Sequence, residues 1–309
     1  VDQEMDTVAL VSGGKDSCMC MVKCVEYGHR IVAIANLTPA DLKKDEIDSY
    51  MYQTIGHNVV KAISEAMELP LFQRKILGKP LNKSLRYNST QCSERNRTEN
   101  NDNSDVDGGG KADDVHDEVE DLFELLKTVK DKMPNVKAVC SGAILSNYQR
   151  NRVEDVCERL GLVSLAYLWQ QEQKALLKNM VESGIEAILV KVASMGLYPS
   201  SHLGKSIATL LPYLIGEFAN MGCHPCGEGG EYETLTLNCP LFKKRIEIKR
   251  SEIIGDLVGT IDPVGVLRIN EFHLREKKKR KQINKENKVI KGEEHGDGGA
   301  GGQELKVKT

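Results

Sequence analysis

The sequence predicts an α/β protein with a doubly wound parallel sheet, followed by a second, smaller α+β domain. Three observations carry this. Short apolar runs alternate with helix-period segments across roughly the first half of the chain. One run, Ile31–Ala35, is apolar without a break, as in a strand buried on both faces. Beyond residue 187, helical patterns give way to mostly extended segments.

The elements follow in order. Thr7–Val11 reads as a strand ending in Ser-Gly-Gly. Asp16–Tyr27 reads as a helix, with Met19, Val22 and Val25 three apart and Gly28 closing it. Arg30–Asn36 is the buried strand. Ser49–Met67 places Tyr52, Ile55, Val59, Ala62 and Ala66 on one helical face. Leu71–Ile76 is a strand, Asp117–Lys132 a helix, Val136–Ser141 a strand and Ser146–Leu160 a helix. In the second half Gln173–Glu182 and Leu203–Ala219 read as helices. Ala187–Val192 is strand-like, and Gly227–Thr234, Leu235–Leu237, Arg245–Lys249 and Val264–Ile269 read as extended.

Between Asn88 and Asp114 the periodicity disappears into Asn, Ser, Asp and Gly. Such a composition buries too little apolar surface to order itself, so it predicts a flexible insertion. The tail is polar from Glu276, basic at first and Gly-rich near its end, and reads as solvated. The expected organisation is therefore a nucleotide-binding domain over 1–166 with an insertion at about 88–114, a substrate-binding domain over 167–275, and a disordered tail over 276–309.

The chain has 309 residues, 40% of them apolar, and a net charge of −3. Neither a nucleic acid nor a membrane surface is drawn to so weak a field. No run is long and apolar enough to span a membrane. The acidic opening Val1–Asp6 lacks the basic-then-apolar pattern of a signal peptide, and the nine cysteines are odd in number and dispersed. A cytoplasmic protein with reduced thiols is the expectation.

Chemistry concentrates in Ser12-Gly13-Gly14-Lys15-Asp16-Ser17, where the first strand hands over to the first helix. Two glycines let backbone N–H groups approach phosphate oxygens, and the helix N-terminus aims donors at the same place. Lys15 adds positive charge, and Ser12 and Ser17 add hydroxyls. The spacing is neither that of the Walker loop nor that of the dinucleotide loop. Asp16 equally suits helix N-capping, and a ligand-free tight turn is the bland alternative. The other distinctive stretch is Cys226-Gly227-Glu228-Gly229-Gly230-Glu231-Tyr232-Glu233-Thr234. Its carboxylates suit Mg²⁺, a cationic substrate or ammonium, and an acidic turn between strands is the alternative.

The first loop resembles the PP-loop of the ATP pyrophosphatase superfamily, whose members bind ATP on a Rossmann-like sheet and release pyrophosphate. Further stretches carry the resemblance to one branch of it. They are Ala35-Asn36-Leu37, Asp48–Thr54, Gly142–Ser146, Tyr148–Glu154, Leu165–Gln170, Gly204-Lys205, Cys226–Thr234 and Cys239–Lys244. Together, in this order, they resemble the diphthine–ammonia ligases from about Thr7 to Leu274. Two features depart from that family's pattern: the 88–114 insertion is longer than it needs, and the tail has no counterpart.

The resemblance implies ATP-dependent amidation, through an acyl-adenylate, of the carboxylate of diphthine on a translation elongation factor. Ammonia would be the nitrogen donor, with Mg²⁺ bridging the phosphates. It implies Lys15, Asp16 and Glu231 as catalytic residues. Ser12–Ser17, Ala35, Asn36, Leu37, Gly142 and Ala143 would contact the nucleotide, although Leu37 equally fits plain core. Diphthine carries a quaternary ammonium, which calls for aromatic faces and carboxylates. Tyr148, Arg150, Trp169, Glu228, Glu231, Tyr232, Glu233 and Thr234 are the expected substrate contacts, with Trp169 equally suited to a domain interface. Which residues hold the metal is left open. Two alternatives remain: a tRNA-modifying PP-loop enzyme using Cys223-x-x-Cys226 with Cys239 as a third metal ligand, and a non-enzymatic ATP-binding regulator.

Overall fold

Two sheets organise the molecule. A computed structural model describes residues 3–38, 57–78, 117–255 and 263–277. The first sheet is built from β1 (Asp6–Leu10), β2 (Arg30–Thr38), β3 (Leu71–Lys75), β4 (Val136–Cys140) and β5 (Val163–Leu165) in the order β3-β2-β1-β4-β5. Every pairing is parallel. The helices are α1 (Lys15–Glu26), α2 (His57–Met67), α3 (Glu118–Lys132) and α4 (Asn147–Leu160).

Period-two alternation sorts the strand side chains between two cores. Ala9, Ile34, Ala138 and Cys140 join α1 and α2 on one face. Val8, Ala33, Ala35, Leu37 and Val139 join α3 and α4 on the other. The sheet is thus covered on both sides, which explains the unbroken apolar run of β2. Strand order reverses at β1, with β2 on one side and β4 on the other, so the crevice at their carboxyl ends is a topological switch point.

The second sheet is antiparallel, in the order β7-β6-β9-β8. Its strands are β6 (Glu186–Ala193), β7 (Tyr232–Asn238), β8 (Lys244–Gly255) and β9 (Val264–Glu276). With it come α5 (Gln173–Glu182), α6 (Pro199–His202) and α7 (Ile207–Tyr213). Apolar residues of this half, among them Leu189, Phe218, Leu235 and Ile246, share one core with α1 and α2. Residues up to Lys277 accordingly form one compact unit.

Several expectations change. The helix expected over Leu203–Ala219 begins only at Ile207, capped by Ser206, whose Oγ accepts the N–H of Thr209. Gly204, at φ +75°, ends the preceding turn. From Leu214 to Phe218 the ladder widens into a π turn, just after Pro212 has removed one helical donor. Gly227–Glu231 is turn, and extension starts at Tyr232. β8 and β9 run well beyond the segments expected for them, and the short β5 had no apolar run to announce it. The tail was expected from Glu276, yet β9 reaches that residue and Lys277 Nζ donates to the Cys239 carbonyl at 2.7 Å. Residues 49–56, the 88–114 insertion and the tail from 278 lie outside the described residues. No described helix is long and apolar enough to cross a membrane.

Candidate active site

The Ser12–Ser17 loop leaves β1 at the switch point and opens α1. Gly13 has φ +98°, a conformation that glycine adopts without strain. Gly14 occupies the N-cap with no side-chain cap, and Ser17 Oγ donates to the Gly14 carbonyl at 3.0 Å. Asp16 therefore sits inside the first turn of α1, and the capping role that its residue type suggested is not the one it plays. Across the crevice, the loop after β4 comes so close that a Cβ on Gly142 would lie 2.7 Å from the backbone of Asp16 and Ser17. Glycine at 142 is what lets the two switch-point loops touch.

The second sheet holds the Ser12–Ser17 loop from the other side. Lys15 N–H donates to Thr234 Oγ1 at 3.0 Å, and Thr236 N–H donates to the Gly13 carbonyl at 2.8 Å. Lys15 Nζ is buried. It donates to Asp16 Oδ2 at 3.0 Å and to the Cys226 carbonyl at 2.5 Å, and lies 5.1 Å from the centre of the Tyr232 ring. Burial works against its charge, but Asp16, Tyr232 and Cys226 outweigh that, so its proton is held more tightly than usual. The other carboxylate oxygen, Asp16 Oδ1, is buried with no hydrogen-bond partner in the protein.

Residues 223–231 form the turns that precede β7. Glu231 organises them: Oε1 accepts the N–H of His224 and Oε2 that of Gly229, both at 2.8 Å. The Cys226 N–H donates to His224 Nδ1 at 3.0 Å. Tyr232 is buried, its hydroxyl donating to the Pro225 carbonyl at 2.5 Å. Glu228 Oε2 reaches across to accept the N–H of Leu145 at 3.2 Å. Burial, then the charge of Asp16, push the Glu228 carboxyl above its usual range. These turns and the start of α4 border an open cavity of about 510 Å³, lined by Leu145, Ser146, Cys223, His224, Glu228 and Glu231 among others.

The structure brings most of the expected residues together, though not in equal roles. Asn36 is buried at the edge of the crevice, where Nδ2 donates to the Val11 carbonyl at 2.9 Å and Oδ1 accepts from Gln73 at 3.1 Å. Ala35 and Leu37 turn their side chains into the core on the α3–α4 face, leaving only backbone for a ligand. Ala143 is buried beside Gly142. Strand alternation turns Glu233 away from the loop, to pair with Lys191 at 3.6 Å. Arg150 stacks on Trp169, 4.7 Å from guanidinium carbon to ring centre, and bonds Glu154 at 2.6 Å. Arg152 lies on the Tyr148 ring, 3.3 Å from its centre, and burial pushes the Tyr148 hydroxyl up to about 12.

The metal site imagined for the tRNA-modifying alternative does not assemble. Cys226 Sγ meets the Gln173 carbonyl at 3.3 Å, Cys223 Sγ meets Ser194 Oγ at 3.6 Å, and Cys239 is buried in the same core as Cys18. Among the described residues the thiols that do converge are Cys20, Cys24 and Cys140, in the core beneath the crevice. All eight described cysteines are free.

Two family models match the chain. The model of the diphthamide synthase N-terminal domain matches residues 5–88 and 109–164, and that of the C-terminal domain matches 172–264. The chain belongs to the diphthamide synthase family. The diphthine–ammonia ligase of Mus musculus is 48% identical over 275 residues, covering 88% of this chain and 94% of the relative. The Homo sapiens protein of the same name is 48% identical with the same coverage. That of Schizosaccharomyces pombe is 47% identical over 257 residues, 83% of this chain but 38% of the longer relative. The N-terminal diphthamide synthase match leaves out residues 89–108, within the stretch read as an insertion.

Sequence reasoning missed His224, gave Cys223 only a metal-ligand role, and met Leu145 and Ser146 only as part of the Gly142–Ser146 stretch and a helix start. The first two lay in Cys223-His-Pro-Cys226, which was read for its cysteines alone. The other two carry no chemical signature and matter only through where the start of α4 is placed.

Proposed function

We propose that this chain is an AMP-forming ligase that amidates the diphthine carboxylate of a translation elongation factor with ammonia. The observation that carries the reading is the Ser12–Ser17 loop at the switch point, tied to Thr234 and Thr236 and opening beside a carboxylate-bearing cavity. The kinship with proteins named diphthine–ammonia ligase supports the substrate.

In this reading a carboxylate oxygen of the substrate attacks the α-phosphorus of ATP, and pyrophosphate leaves. Nitrogen then forms its bond to the acyl carbon, and AMP departs with the electron pair of the broken C–O bond. The surplus proton on nitrogen goes to water. Lys15 stays charged and offers that charge to the departing pyrophosphate, together with the loop amides. Gly142 and Ala143, with the backbone of Ala35 and Leu37 and the amide of Asn36, border the adenosine.

Asp16 Oδ1, a buried carboxylate oxygen without a partner, suits Mg²⁺. When bound, the ion neutralises phosphate charge. Glu228 faces the quaternary ammonium of diphthine; Trp169 and Tyr148, both stacked on arginines, are not among the residues that line the cavity. Glu231 serves as a positioning residue, because both its oxygens hold the turn.

The experiment combines purified protein, ATP, ammonium and a diphthine-bearing elongation factor. AMP should form only with the complete mixture, and the factor should acquire the mass of the amide. ATP turnover that ignores the factor would sink the assignment.

A further inference from the structure

His224 lies in the turns before β7, and its ring has a determined proton. Nδ1 accepts the N–H of Cys226 at 3.0 Å. A ring nitrogen that accepts a hydrogen bond carries a lone pair there, so the proton of the neutral ring sits on Nε2. Nε2 is buried and has no hydrogen-bond partner in the protein. An N–H left unmade in such a place costs about 1–3 kcal/mol. Burial also makes the ring harder to protonate and outweighs the opposing pull of Glu231, with Lys15 acting alongside burial and Asp16 opposing it more weakly. His224 is one of the residues that line the cavity carrying Glu228.

We propose that His224 binds the substrate's acyl group directly, donating from Nε2–H to the oxygen that becomes negative when nitrogen attacks. This rests on the function proposed above and adds to it a residue and an atom. The choice of an acyl oxygen over a phosphate follows from charge. Phosphates belong on the loop side, with Lys15 and the helix N-terminus. The cavity side carries Glu228, which repels a polyanion and accepts a cation beside a carbonyl group. A neutral donor is also the right kind for that oxygen. It keeps its hydrogen bond as charge develops and gives up no proton.

Two substitutions separate the donor from the scaffold. His224→Asn keeps an oxygen near Nδ1 to accept the Cys226 N–H and lacks the distal donor. His224→Gln places an N–H near the Nε2 position. His224→Asn should lower kcat for amidation about 100-fold, with unchanged affinity for ATP, while His224→Gln should recover at least tenfold of that loss. In ¹⁵N-labelled wild-type protein, the His224 ring should show the Nε2–H tautomer at neutral pH. Its signal should move on adding an acyl-sulfamoyl-adenosine, a stable mimic of the acyl-adenylate, and stay in place with AMP alone.

A proton on Nδ1, a signal indifferent to the mimic, or a full rate in His224→Asn would each overturn the proposal. The resonance measurements need no elongation factor, so they decide His224 even if a substitution unfolds the protein. If wild-type protein fails to amidate the factor, the proposed function fails instead. If it amidates and His224→Asn does so equally well, only the role of His224 falls.

Discussion

Lys15 draws on three separate parts of the chain: Asp16 beside it, the Cys226 carbonyl, and the Tyr232 ring. Replacing it with Ala should leave a folded protein whose amidation rate falls by at least about 100-fold, measured as AMP formation. Unchanged turnover would remove Lys15 from the reaction. Glu228 makes a different kind of prediction. Its carboxyl takes up a proton more readily in the folded protein than in the unfolded chain. Below the ordinary carboxylate range it is protonated in both states and costs nothing. As pH rises through that range towards the higher folded value, the ionised form increasingly disfavours folding. Glu228→Gln should therefore melt at a higher temperature than wild type at pH 7, with the difference vanishing near pH 4, and should amidate more slowly. Equal melting temperatures at pH 7 would contradict this. At this scale the sequence was informative where chemistry is contiguous. The six-residue loop announced itself, whereas its partners lie more than 200 residues away and nothing local marks Thr234 as the acceptor for Lys15.

β7 is the element that completes the site. Tyr232 and Thr234 point to the phosphate loop, while Glu233 points away to Lys191. Thr234→Val keeps the shape and removes the hydroxyl, leaving the buried Lys15 N–H unsatisfied at a cost of about 1–3 kcal/mol. The expected outcome is weaker ATP binding by calorimetry together with a lower midpoint in denaturant. A variant matching wild type in both would show that the loop holds its shape unaided. The parallel sheet was legible because burial on both faces leaves continuous apolar runs, as in β2. The α7 region was not. Its apolar spacing is helical from Leu203, yet Gly204 delays the start to Ile207; from there helical backbone runs on to Asn220 with a π turn at Leu214–Phe218. The turns at 223–231 look acidic and solvated in sequence, yet Glu231 spends both oxygens inside them.

The two sheets share one apolar core through α1 and α2, so unfolding of the described body should be a single event. Far-ultraviolet dichroism and Trp169 fluorescence should trace the same transition in guanidinium. Two separated midpoints would show that the halves are independent, as the expected boundary near residue 166 implies. The family matches also divide the chain there, between residues 164 and 172, and a division of that kind does not state how much surface two neighbours bury against each other. The contacts from Gly13 and Lys15 to Thr236 and Thr234 have a bearing on inherited or engineered variation. Strand pairing fixes β7 by register, and a one-residue slip turns every side chain to the opposite face. A single-codon deletion between Glu231 and Leu237 would thus leave Ser12–Ser17 intact in the gene while removing its support in the protein. Loss-of-function alleles of the ATP site should accordingly map to two stretches more than 200 residues apart, and a screen confined to the recognisable motif would miss those in β7.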